Sequence, residues 1–137
     1  MTESSAISTT VEKTNRILAD IEQRMGLGDR PDEALSALRA VIQALRDRLP
    51  VNEAANFGAQ LPELVRGIYY EGWSPSHVPM KMNREEFIAR VRRGFLYEVN
   101  MEQLIRVVLA TVSGYIAAGE MDKLKGALPQ EIVDLMP

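Results

Sequence analysis

The chain has 137 residues, enough for one domain with a real core, and its 46% apolar and 26% charged content is that of an ordinary globular protein. No cysteine and a single histidine, His77, exclude a disulfide framework, a thiol nucleophile and a thiolate metal site, and leave little for imidazole chemistry. Sixteen basic against nineteen acidic residues give a net charge of -3, the wrong sign for a domain that lives on nucleic acid.

Residues 1–10, MTESSAISTT, carry no apolar h-region, so they read as a flexible tail rather than a secretory signal. A first helix is expected after a Thr9–Thr10 cap, with Val11, Asn15, Leu18, Ile21 and Met25 along one face and Gly26 and Gly28 ending it. Pro31 suits the first turn of a second helix, whose stripe of Ala34, Leu35, Leu38, Val41, Ile42, Leu45 and Leu49 is the clearest in the chain. Pro50 ends it. Two shorter helices fit Asn52 to Gln60 and Pro62 to about Tyr70, and Gly72, Pro75 and Pro79 mark a loop of about ten residues.

The helical pattern restarts at Asn83, which with Glu86 three residues on forms a capping-box arrangement; Phe87, Ile88, Val91 and Phe95 make the buried face. Asn100 with Gln103 opens a further long helix carrying Ile105, Val108, Leu109, Val112 and Ile116, and Gly119 and Pro129 introduce two short ones. No alternating run marks a strand, so the expected fold is all-α with about eight helices. The longest uncharged apolar stretch, within Val107 to Ile116, is broken by Thr111, Ser113 and Gly114, far short of the roughly 20 residues a membrane span needs. A cytoplasmic protein without a transmembrane segment is expected.

A shift of 67 residues lays the second half of the chain on the first. Arg39 falls on Arg106, Val41 on Val108, Glu53 on Glu120, Leu61 on Leu128 and Pro62 on Pro129, and the apolar stripe is kept in kind between them. A three-residue slip extends the match backwards, placing Ile17, Leu18 and Ile21 on Phe87, Ile88 and Val91. The chain thus reads as two four-helix units, long, long, short, short, over residues 11–73 and 83–137. Each is near the lower size limit for an independent core, so one domain over residues 11–137 is expected. Leu104, Val107 and Ala110 make the long helix around Ile105 apolar over most of its circumference, which demands either a central place or cover from another chain.

Tyr69, Tyr70 and Trp73, in a Tyr-Tyr-Glu-Gly-Trp turn without an aromatic counterpart in the second half, are the candidate interaction surface, because aromatics with a polar tip favour interfaces. The alternative is that they pack over the seam between the halves. Lys81, Arg84, Arg90, Arg92 and Arg93 form the one basic concentration, a second candidate surface for nucleic acid or an anionic membrane. Glu85 and Glu86 offset it, and the segment from Gly94 to Pro137 holds three basic against six acidic residues, which favours a solvated face. His77 has no carboxylate or second histidine at ligand spacing, no phosphate loop or nucleophile elbow is present, and Glu63 with Glu71 is the obvious carboxylate pair. No catalytic residue, metal or cofactor is assigned.

The run from Ala37 through Trp73 closely resembles the bacterial family known as domain of unknown function 2267, through Leu61-Pro62, Arg66-Gly67 and the aromatic turn, and the likeness continues to the final Leu-Pro helix. The resemblance implies a helical fold and a bacterial setting; it brings no activity and no site residues. The expected function is a protein-interaction or self-association module, with a protein partner or a second copy as its ligand. Nucleic-acid or anionic-surface binding through residues 81–93 and a small-ligand or enzyme site between the repeats are the alternatives.

Overall fold

A computed structural model describes residues 3–137, and among them the chain forms eight α-helices and no strand. In order these are α1 (Ser5–Met25), α2 (Pro31–Arg48), α3 (Val51–Gln60), α4 (Glu63–Tyr70), α5 (Arg84–Gly94), α6 (Met101–Ser113), α7 (Ala118–Gly126) and α8 (Gln130–Val133), with a single 3₁₀ turn at Pro75–His77 in the α4–α5 linker. The all-α expectation holds. No helix of the described residues is long and apolar enough to cross a membrane.

Side-chain caps begin three of the eight helices, and a left-handed glycine ends one. Asn83 forms the expected capping box: its side chain accepts from the Glu86 amide at 2.8 Å, and Glu86 accepts from the Asn83 amide at 3.1 Å. Asn100 accepts from the Gln103 amide at 3.0 Å. Gly26, at φ 66°, ends α1, with the Gly26 and Leu27 amides returning to the Gln23 and Glu22 carbonyls.

The start of α1 differs from expectation. Ser4, not Thr9 or Thr10, is the cap, its hydroxyl accepting from the Ala6 amide at 3.2 Å, so helix runs through most of the segment read as a tail. Residues 1–2 of that segment lie outside the described residues. Thr10 is used instead between helices: its hydroxyl accepts from the Leu64 amide at 2.9 Å, satisfying a free N–H in the first turn of α4. The buried face of α1 is Thr14, Ile17, Leu18 and Ile21, while Val11 and Asn15 are exposed.

Packing centres on two crossed pairs, α1 against α6 and α5 against α2, with α2 against α6 between them and α3 against α7 to one side. α4 rests on α1 and α2, and α8 on α5. Helix α6 is therefore central: Leu104, Ile105, Val108, Leu109 and Val112 are all buried, and neighbours within the chain account for its nearly continuous apolar surface. Where α3 meets α7, one small crevice is lined by Glu53, Asn56 and Phe57 with Glu120, Lys123 and Leu124, three pairs of positions each 67 residues apart.

Candidate functional site

The aromatic turn is built inward. Tyr69 has no exposed surface, Tyr70 and Trp73 are half-buried, and Phe57, Tyr69, Tyr70 and Trp73 form a ladder with successive ring centroids 5.5, 5.0 and 5.2 Å apart. The Tyr69 hydroxyl donates to the Ala54 carbonyl at 2.8 Å. Burial, above all, pushes its phenol well above the ordinary value of 10.0, keeping it a neutral donor. Tyr69 therefore offers nothing to a partner of the folded chain, which confines the expected aromatic surface to the outer edges of Tyr70 and Trp73.

Helix α2 holds this turn in place. Gln43 donates to the Ile68 carbonyl at 2.9 Å, and Arg46 donates to the Tyr69 and Glu71 carbonyls at 2.8 and 2.7 Å, so the last carbonyls of α4 are capped by side chains from another helix. Arg46 is buried, and its Nε and Nη2 each lie 2.9 Å from Asp47 Oδ1, while Arg90 of α5 reaches Asp47 Oδ2 at 3.0 Å. The sequence expectations do not include this Arg46–Asp47–Arg90 network. The signal was there: Arg46 follows Ile42 by one turn and precedes Leu49 by three residues, a core-facing register.

The basic segment is largely spent within the fold. Arg84 pairs with Glu102 at 2.8 Å, Arg90 with Asp47, and Arg92 with Glu98 at 3.3 Å and the Tyr97 carbonyl at 2.6 Å. Hydrogen bonds from Arg106 and then Arg84 hold the Glu102 carboxyl below its ordinary value of 4.5. Only Lys81 and Arg93 of the five make no ion pair among the described residues. Glu63 and Glu71 sit at opposite ends of α4, about 12 Å apart along its axis, and do not converge. His77 is exposed and its Nδ1 lies 2.7 Å from Ser74 Oγ and 3.2 Å from Ser76 Oγ.

Where residues of the first unit meet Tyr115 of the second, the seam named as the alternative place for a small-ligand or enzyme site, an open cleft of about 560 Å³ lies between the first half of α1, the α3–α4 corner and the end of α6. One face of α1 (Ser5, Ala6, Thr9, Thr10, Lys13) forms one wall, Gln60 to Glu63 with Arg66 another, and Tyr115 closes the end. Gln60 and Arg66 are fixed. The Gln60 side-chain oxygen accepts from the Ala117 amide at 2.7 Å, and Arg66 donates to the carbonyls of Gly58, Ala59 and Leu61 at 2.9 to 3.0 Å, capping α3. Lys13 and the Tyr115 hydroxyl make no hydrogen bond among the described residues.

The family described as uncharacterized conserved protein (DUF2267) matches residues 14–135, nearly the whole chain. The chain belongs to the DUF2267 family. No curated protein matches it. The family description carries no activity, so roles in this DUF2267 chain rest on its own geometry. That geometry gives Arg66, one of the residues carrying the resemblance, a helix-capping task, and gives the aromatic turn a packing task. Perturbed titration, a frequent mark of functional sites, falls on Tyr69 and Glu102, and neither lines the cleft.

Proposed function

We propose that this DUF2267 chain is a protein-interaction module, and that its contact surface is the α1–α3–α4–α6 cleft rather than the aromatic turn. The observation carrying this reading is the cleft itself: a preformed concavity whose walls are pinned by Gln60, Arg66 and Thr10, and which presents Lys13 and Tyr115 with donors that make no hydrogen bond among the described residues. Anionic-surface binding through residues 81–93 loses support, because Arg84, Arg90 and Arg92 are engaged by Glu102, Asp47 and Glu98. The same reading takes the chain as a duplicated helical unit, supported by the reciprocal pairing of α1 with α6 and α5 with α2. It also places the protein in a bacterial cytoplasm, on the sequence resemblance and the cysteine-free composition.

A photo-crosslinking residue at Thr9, inside the cleft, tests the site against the same residue at exposed Glu85 on α5. The expected result is a discrete adduct from position 9 alone, a doubled mass marking a second copy as the partner. Equal adducts from both positions, or none from position 9, overturn the reading.

A further inference from the structure

The end of α2, which the 67-residue shift relates to the end of α6, is the comparison that bears on the cleft. Under the 67-residue shift, Gly114 and Tyr115 at the end of α6 correspond to Asp47 and Arg48 at the end of α2. At α2 this end is covered by the linker that precedes α5. The Met80 amide donates to the Asp47 carbonyl at 2.7 Å, Arg48 Nε donates to the Met82 carbonyl at 3.3 Å, and the Met82 side chain is buried in the core. An acceptor and a donor on consecutive residues thus hold an N–H and the C=O two positions on, the spacing of an extended strand. At α6 the Gly114 carbonyl and the Tyr115 hydroxyl make no hydrogen bond among the described residues; Tyr115 lines the cleft, and exposed Gly114 adjoins it in the chain. The residues just ahead of α5 are outside any helix, whereas the corresponding residues ahead of Thr14 are helix and form the far wall.

We propose that the cleft binds an extended peptide segment of a partner protein, gripped as the linker is gripped in the other half. One N–H of the segment meets the Gly114 carbonyl, and the carbonyl two residues on meets the Tyr115 hydroxyl. The second of these residues carries a long apolar side chain, as Met82 does, and lays it in the cleft. Two cations, Lys13 and Arg66, against one carboxylate, Glu63, line the cleft, so the segment carries negative charge beside its apolar residue. This rests on the docking reading above and specifies its occupant.

The test uses the full chain and a fluorescein-labelled peptide, Pro-Ser-His-Val-Pro-Met-Glu-Met-Asn, which is the protein's own linker sequence with Lys81→Glu. Fluorescence anisotropy should show saturable binding that weakens roughly three- to tenfold with Tyr115→Phe, the loss of one hydrogen bond. Lys13→Glu should weaken binding further and flatten its salt dependence, and the peptide with alanine for its second methionine should not bind. Circular dichroism of both variants checks that the fold is kept. No saturable binding up to about 1 mM, a threshold of about -4 kcal/mol, overturns the proposal, as does an affinity that neither variant alters. If position 9 crosslinks a partner while the peptide fails to bind, the docking reading stands and the extended-segment occupant falls.

Discussion

A Cβ added at Gly58 would lie 2.6 Å from the Tyr70 hydroxyl oxygen and 2.9 Å from Tyr69 Cε2, so the α3 backbone at this point forms the floor on which the aromatic ladder rests. Glycine inside a helix costs roughly 0.5–1 kcal/mol relative to alanine, and here that cost is offset by the close approach of two rings. Gly58→Ala should therefore destabilise the protein despite its better helix propensity, by a net of about 1 kcal/mol, since overpacking costs about 1–3 kcal/mol. Urea denaturation measures this, and Tyr70→Phe in the same background should recover part of the loss by removing the nearest atom.

Arg46→Ala should be among the most damaging single changes in the chain. It strands the Tyr69 and Glu71 carbonyls and leaves Asp47 with Arg90 alone, and breaking a buried ion pair by removing one partner costs about 3–5 kcal/mol. Arg46→Lys should recover little, because a single ammonium cannot reproduce the planar fork that spans Asp47 and two carbonyls. The single tryptophan, Trp73, reports loosening of the turn through its emission.

Trp73→Ala combined with Tyr70→Ala separates packing from recognition at the aromatic turn. Both rings pack on the core cluster, so the pair should lose at least about 2 kcal/mol of stability. Unchanged stability with a lowered native mass or lost partner capture would instead return the interaction surface to the turn.

Stability should fall on the alkaline side through Tyr69. Its phenol titrates higher in the folded chain than its ordinary 10.0, so the contribution of the neutral, buried form is complete below pH 10 and is lost as the pH climbs above it. Tyr69→Phe should lower stability at neutral pH by about 1 kcal/mol, the bond to the Ala54 carbonyl. It should also flatten the alkaline limb of the urea midpoint plotted against pH.

Most helices were legible because the forces that place them are local. Asn83 and Asn100 cap helices through atoms three residues away, Gly26 stops α1 through its own left-handed backbone, and the stripe of α2 repeats within each turn. The start of α1 was misplaced where a local signal had two uses. Thr10 is as good a cap as Ser4 by type, but its hydroxyl is taken by the Leu64 amide, 54 positions away. The site was less legible for the same reason: Arg84, Arg90 and Arg92 look like a free basic run until Glu102, Asp47 and Glu98 are brought to them.

By itself the sequence determined an all-α chain and the family, since these live in spacing, capping residues and shared motifs. Only the tertiary structure decided that α6 is central, that Tyr69 is core, and that a cleft opens beside α1. Burial and charge pairing depend on which helix faces cross. Lys13, Gln60 and Tyr115 stand far apart along the chain, and no periodicity within one helix records their meeting.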